Sequence, residues 1–263
     1  MNEFFEILNS SPIGLVLASV LGLIWGSFFN VCIHRIPIDE PIYKGRSRCP
    51  HCRKPVAWYF NIPVLGYLYL NGRTACCGKR LSPQYPIVEM GVGITFALLY
   101  LQFGASKEWI SFSVLSSLLW IISGIDFHHR IIPDELSLPG IILGLLAALW
   151  MGHITWWESL LGAFLGGGLF FVVAWAYEKY THREGLGGGD VKMLAMLGAW
   201  FGPAAVPVII LLSTGAGSII GLGWMAFSKK NFQAALPFGP FLALAAEAYI
   251  FWGDQLNAWL ILR

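Results

Sequence analysis

Asp126 and Asp190 are the residues whose setting first suggests chemistry. Asp126 closes an apolar run and is followed by Phe127-His128-His129-Arg130, while Asp190 follows Gly187-Gly188-Gly189 and precedes an apolar stretch starting at Val191. Both acids stand at the polar end of a hydrophobic segment, 64 positions apart. Two carboxylates brought together can hydrolyse a peptide bond without a covalent intermediate. Like charges at close range share a proton. The ionised member draws a proton from water, the neutral one polarises or protonates the scissile carbonyl, and the roles exchange as the diol collapses. Such a pair titrates as a unit, so the acid that begins as base stays open. The glycines before Asp190 give a peptide backbone room to approach, or to pair as an added strand. A plainer reading makes Asp190 a helix N-cap and Asp126 an interfacial charge meeting Arg130 or solvent. Proton-coupled transport is a third use of acids at membrane helix ends, and a noncatalytic scaffold is a fourth.

A second chemistry lies in the polar stretch 34–85. The spacing of Cys49-Pro50-His51-Cys52 lets two thiolates face one tetrahedral ion. Cys76 and Cys77 are adjacent, so their side chains meet one ion only through a tight bend, which Gly78 helps to supply. We expect a structural zinc site drawn from Cys49, Cys52, Cys76 and Cys77, closed to water and therefore stabilising the loop rather than attacking substrate. Unliganded thiols in a reducing compartment, with His51 and His34 incidental, are the alternative; a disulfide fits a cytoplasmic loop poorly. Cys32, at the end of an apolar run, reads as a packed side chain.

Other polar residues have structural and functional readings side by side. Asp134, after Ile131-Ile132-Pro133, is expected to cap a helix, with support of Asp126 as the other option. Glu89 sits in apolar surroundings and could contact a substrate amine, although an ion pair with a basic loop residue is the favoured reading. Glu247 should face the interior of a helix bundle. The aromatic runs Trp58-Tyr59-Phe60 and Tyr67-Leu68-Tyr69 suit a membrane interface or binding wall, and equally the small core of the loop.

These residues must be positioned by helices in a membrane. Of 263 residues 56% are apolar and 12% charged, against about 25% charged in a soluble domain. Charge-free windows at 11–34, 136–153 and 159–177 are long enough for a helix to cross about 30 Å of hydrocarbon. The first reads as an uncleaved helix, because Glu3 and Glu6 precede it without a Lys or Arg. About eight crossings are expected, at 12–33, 86–103, 110–125, 136–152, 159–177, 191–201, 204–227 and 237–252. The sixth is the shortest. With eight, all 17 Lys and Arg residues except Lys107 and Arg263 fall on one side, which the positive-inside tendency makes cytoplasmic, with both termini outside. Seven would put Lys229 and Lys230 outside. The fold class is thus an all-α polytopic membrane protein with a cysteine-containing cytoplasmic loop domain, divided into 1–33, 34–85 and 86–263. The stretch 34–85 holds nine basic residues against Asp39 and Glu40; it should attract anionic lipid headgroups, and no motif points to nucleic acid.

In order along the chain, the motifs resemble the type IV prepilin peptidase family of bifunctional leader peptidases and N-methyltransferases. They are Gly26-Ser27-Phe28-Phe29-Asn30-Val31, Arg35-Ile36-Pro37, Arg48-Cys49-Pro50-His51-Cys52, Trp58-Tyr59-Phe60-Asn61-Ile62-Pro63, Ser82-Pro83-Gln84-Tyr85-Pro86 with Glu89, Ile125-Asp126, Pro133-Asp134, the segment 185–198, and Leu236-Pro237-Phe238-Gly239-Pro240-Phe241. The resemblance covers almost the whole chain. It implies that Asp126 and Asp190 are the catalytic acids of a membrane aspartic endopeptidase. It implies cleavage after glycine, at the cytoplasmic face of the bacterial inner membrane, of the leader of type IV prepilins or type II secretion pseudopilins. It also implies methylation of the new N-terminal residue, usually phenylalanine, with S-adenosylmethionine, a function associated with the cytoplasmic loop. In one place the chain departs from the family. The second cysteine pair there has two intervening residues; Cys77 matches its second member, but Thr74 occupies the place of the first. Either Cys76 substitutes by a shifted backbone or His51 joins instead.

Overall fold

Backbone polar groups in hydrocarbon must be satisfied within their own segment, which leaves a run of apolar residues only the helix. The computed structural model describes residues 12–43, 47–181, 187–228 and 237–261, the side chains of 224–228 excepted, and there each expected apolar run is helical. The helices are α1 (Pro12–Arg35), the short α2 (Leu65–Tyr69), α3 (Gln84–Phe103), α4 (Lys107–His129), α5 (Asp134–Met151), α6 (Trp156–Thr181), α7 (Gly188–Phe201), α8 (Ala205–Ser228) and α9 (Gly239–Ile261). Glu3, Glu6, Lys44, Arg46, Arg183, Gly185, Lys229, Lys230, Leu236 and Arg263, which carry part of the charge and motif reading, lie outside the described residues.

Six helices, α1, α3, α4, α5, α6 and α8, are long and apolar enough to cross a membrane. At 14 residues α7 is about 21 Å long, short of a 30 Å core. In α9 the backbone leaves helical geometry at Trp252, with φ −130° and ψ 18°. The eight expected crossings therefore correspond to six candidate spans and two further helices. The chain divides into two compact units, 1–121 and 122–263, with the boundary inside α4.

In the first unit, α1 and α3 run antiparallel and touch along small residues. A Cβ on Gly22 would lie 2.7 Å from the Val92 carbonyl oxygen, and one on Gly26 would lie 2.7 Å from Glu89 Cα. This is close helix contact without the hydrophobic effect, where small side chains let dispersion and polar contacts act between backbones. Asn30 extends the contact by donating from Nδ2 to the Tyr85 carbonyl at 3.1 Å. The α3–α4 pair is tied by indoles: Trp109 donates to the Phe96 carbonyl at 3.3 Å and Trp120 to Thr95 Oγ1 at 3.2 Å.

In the second unit the short α7 is the core. Met193, Leu194, Met196, Leu197 and Ala199 have no exposed surface, because α5 and α6 pack on it. Gly162 of α6 and Gly198 of α7 meet backbone to backbone, and a Cβ on either would collide with the other's carbonyl. Trp200 donates to the Gly140 carbonyl of α5 at 3.0 Å. By contrast Phe164, Phe171, Val172 and Trp175 of α6 are more than half exposed, the face expected of a helix solvated by lipid.

Candidate active site and thiol cluster

Asp126 occupies the last turn of α4 and is 5% exposed. Its Oδ2 accepts the Gly239 backbone N–H at 2.9 Å, at the first residue of α9. Helix N-termini present unpaired N–H groups and a partial positive charge, so this end of α9 is a natural partner for a carboxylate. The approach leaves no room for a side chain: a Cβ on Gly239 would stand 2.8 Å from Oδ2. The carboxylate is buried rather than open to solvent, and Arg130 acts on it without forming an ion pair.

Asp190 lies half-buried in the first turn of α7. The helix N-cap is Gly187, not Asp190, and the Asp190 backbone N–H donates to the Gly187 carbonyl at 3.0 Å. Burial above all, and with it the negative charge of Asp126, raises the Asp190 pKa to about 6 against a hydrogen bond with the Gly187 backbone that pulls the other way. The mutual repulsion of the two acids follows from how their segments meet. Ile132, six residues after Asp126, packs on the glycine run, so that a Cβ on Gly189 would lie 2.8 Å from Ile132 Cβ. Asp134 and Lys192 then clamp the start of α5 to that of α7, with Nζ at 2.6 Å and 2.7 Å from the two carboxylate oxygens. Asp134 was expected to cap α5; instead it is the first helical residue behind Pro133, makes no capping bond, and pairs with Lys192.

The four loop cysteines converge in the first unit. The Sγ atoms of Cys49, Cys52, Cys76 and Cys77 lie within 4.8 Å of one another, with Cys49 to Cys77 at 3.8 Å and Cys52 to Cys76 at 3.1 Å. A tetrahedral Zn–S₄ unit with bonds of about 2.3 Å has sulfurs roughly 3.8 Å apart, so the donor set fits a metal ion. His51 stays out of the group, its Nε2 resting 3.1 Å from the Arg80 carbonyl oxygen. Burial opposes ionisation of Cys49, yet hydrogen bonds from the backbone of Cys52 and His51 outweigh it and bring its pKa down to about 6. Cys76, hydrogen-bonded to Cys52 and Cys49, keeps its proton up to about 12. Four thiols this close share protons that a divalent cation would replace.

The loop also roofs a cavity of about 880 Å³ bounded by α1 and α3, with Asn30, Arg35, Arg48, Phe60, Tyr67 and Glu89 on its wall. The aromatic runs divide accordingly. Phe60 and Tyr67 line the cavity, while Trp58 and Tyr69 are each 79% exposed. Glu89, expected to pair with a basic residue, is buried and makes no ion pair among the described residues; its Oε2 accepts the Val64 N–H at 2.7 Å.

Comparison with known proteins identifies the family. The family model described as Bacterial Peptidase A24 N-terminal domain matches residues 20–103, and that described as Type IV leader peptidase family matches residues 113–222. The chain belongs to the type IV leader peptidase family. It is thus an enzyme of an aspartic peptidase class. A protein of Stutzerimonas stutzeri named prepilin leader peptidase/N-methyltransferase is 36% identical over 96% of both chains. Proteins of the same name from Aeromonas hydrophila (33% identical, 93% of each chain) and Klebsiella pneumoniae (40%, covering 74% of this chain and 88% of that one) are similar too. No solved structure matches.

Within this family the shifted cysteine has a local explanation. Cys49 N–H donates to the Lys54 carbonyl and Arg53 N–H to that of Cys49; Thr74 N–H donates to the Lys79 carbonyl and Gly78 N–H to that of Thr74. The two turns are the same knuckle, closed by the bridges Arg48–Pro55 and Arg73–Arg80 and each carrying a positive φ, 58° at Arg53 and 69° at Gly78. Thr74 stands where Cys49 stands in the first knuckle, and Cys76 where His51 does. Cys76 supplies the fourth sulfur from that position, and Thr74 keeps a contact, its Oγ1 lying 3.1 Å from Cys77 Sγ. Gly239 is the residue that sequence reasoning passed over. Pro237-Phe238-Gly239-Pro240 was noticed as a motif, but nothing in it says that its amide meets an acid 113 positions away.

Proposed function

We propose that the chain cleaves the leader of type IV prepilins or type II secretion pseudopilins after glycine, with Asp126 and Asp190 as its catalytic pair, and then methylates the new N-terminal residue. The observation that carries the peptidase reading is the different setting of the two buried acids. One acid accepts the α9 amide, and the other holds its proton up to about pH 6 through burial and its neighbour's charge. Two such acids suit the proton sharing by which one carboxylate activates water while its partner polarises the carbonyl. Gly187 and Gly188 are exposed beside Asp190, and an unwound peptide could lie against them without meeting side chains.

Methylation, which the N-methyltransferase in the relatives' names supports, would use S-adenosylmethionine. The 880 Å³ cavity of the first unit is within the roughly 300–1,000 Å³ range of small-molecule sites. Cys49, Cys52, Cys76 and Cys77 would hold a zinc ion that keeps the 34–85 loop folded, a division of labour in which the segment 86–263 carries the proteolysis. The excess of Lys and Arg in that loop supports a cytoplasmic face for both acids, an inner-membrane location, periplasmic termini and contact with anionic lipids.

The test is mass spectrometry of a prepilin containing glycine-phenylalanine at its leader junction, incubated with purified protein with and without S-adenosylmethionine. The expected products are a peptide beginning with phenylalanine and, with the donor, the same peptide heavier by one methyl group. Robust cleavage by either Asp126→Asn or Asp190→Asn would remove the acid pair from the mechanism, and solute flux driven by a proton gradient without cleavage would favour a transporter.

A further inference from the structure

Asn30 of α1 and Glu89 of α3 both line the cavity of the first unit, and Glu89 forms no ion pair among the described residues. Asn30 and Glu89 are 5% and 7% exposed. Asn30 spends its Nδ2 donors on the carbonyls of Gly26 at 3.3 Å and Tyr85 at 3.1 Å. That fixes the amide and leaves Oδ1 buried with no hydrogen-bond partner, a costly state for an acceptor.

Glu89 has two hydrogen-bond partners, the Val64 N–H at 2.7 Å and the Ser27 hydroxyl. Val64 is held at φ 62°, ψ −49°, which a β-branched residue avoids. Backbone strain of this kind persists where surrounding structure imposes it, and it clusters at binding sites. Here the strained residue donates its N–H to the Glu89 carboxylate. Although Arg35, Arg48 and Arg53 line the same cavity, no Lys or Arg among the described residues forms an ion pair with Glu89. A carboxylate and an orphaned amide oxygen on one wall, in a helix of a membrane protein, ask for a ligand that brings N–H donors and positive charge.

We propose that Asn30 and Glu89 form a cradle for a primary α-ammonium group, with Phe60 and Tyr67 as the wall that receives the ring of the same ligand. This rests on the methylation reading above. Two molecules in that reaction carry such a group: the freshly cut peptide, at its N-terminal phenylalanine, and S-adenosylmethionine, at its amino-acid end.

Equilibrium binding to the full-length protein in detergent separates them. The probes are Phe-Ser-Ser-Ala amide against its N-acetyl counterpart, and S-adenosylhomocysteine, standing in for the methyl donor, against 5′-methylthioadenosine; both of the last two are thioethers, and only the second lacks the amino-acid tail. Glu89→Gln keeps the shape and the bond to Val64 but removes the charge. We expect it to weaken one ammonium-bearing probe by about tenfold or more and to leave its ammonium-free counterpart unchanged; which pair responds names the source. Unchanged preferences in a Glu89→Gln variant that still cleaves leader overturn the cradle. If Glu89→Gln also loses cleavage, Glu89→Asp decides: a restored preference supports the cradle, and the same failure in both makes Glu89 structural and overturns it. A wild-type protein that adds no methyl group to cut peptide refutes the methylation reading, whatever the binding preferences are.

Discussion

The acid pair and the thiol cluster are built in opposite ways. Asp126 is held by an amide 113 positions away, and Asp190 by a helix whose inner face has no exposed surface. Their geometry is the product of tertiary packing, in which Ile132 on Gly189 and Asp126 on Gly239 leave no space for a methyl group. The thiols come from two knuckles within 28 positions of each other, each folded by its own turn hydrogen bonds and neither part of a helix. Where local turns make a site, a bound ion can supply the stability that a core otherwise would. A disturbance of the first site should therefore alter rate with the fold intact, whereas one of the second should alter the loop and leave proteolysis nearly untouched.

Neutralising either acid gives the largest expected effect. Asp126→Asn and Asp190→Asn should each lower leader cleavage on the order of 1,000-fold, the scale of lost general acid–base catalysis, while the metal content of the purified protein stays that of wild type. Peptide mass spectrometry and elemental analysis on the same preparations check both halves. Loss of metal along with cleavage would mean that the two sites are not separate.

A smaller loss tests the packing side of the comparison. Gly239→Ala places a Cβ 2.8 Å from Asp126 Oδ2, so the carboxylate or the start of α9 must move. A displacement of about 1 Å in a positioning group costs roughly 100-fold, and cleavage should fall by about tenfold to 100-fold with little change in thermal stability. A variant with wild-type turnover would show that the Gly239 amide does not set the position of Asp126.

Removing a thiol is the reciprocal experiment. Cys76→Ser should abolish retention of one zinc per chain and expose the 47–81 loop to limited proteolysis, with leader cleavage changing less than about threefold. Restoring the knuckle pattern by Thr74→Cys in that background should recover the metal, since Thr74 occupies the place that Cys49 holds in the first turn. Full metal retention by Cys76→Ser alone would assign the fourth ligand elsewhere.

The helices were legible in the sequence because lipid permits so few structures: charge-free windows located α1, α5 and α6. The places of Asp126 and Asp190 at helix ends were legible too, through the glycine run and the ends of apolar segments. What one strand of letters could not carry was the use of second partners. Asp134 looked like a cap because it follows Pro133, yet a lysine 58 positions on claims its carboxylate. Glu89 looked like half of an ion pair because the neighbouring loop is basic, yet a backbone amide in a strained turn takes its oxygen. Cys76 looked misplaced until the repeated knuckle gave it the position of His51. Each miss concerns a polar group whose partner is set by three-dimensional packing, and in each the residue type was read correctly.

The smallest effect separates cost from function at the acid site. The Asp190 pKa stands at about 6 instead of 3.8. A carboxyl whose pKa is raised by folding contributes its stability below the unfolded value, and that contribution is lost as pH climbs through the folded value. Wild-type protein should thus be less stable at pH 7.5 than its own packing allows, because an ionised Asp190 is held in a buried place and beside Asp126. Asn cannot ionise, so Asp190→Asn should melt a few degrees above wild type at pH 7.5 and level with it near pH 4. Cys76→Ser, which touches neither acid, should have no such crossover. Melting curves of the three proteins across that range decide the matter: a parallel pH dependence in wild type and Asp190→Asn would mean that the pair is not strained by like charge, and the proton-sharing basis for its chemistry would fall with it.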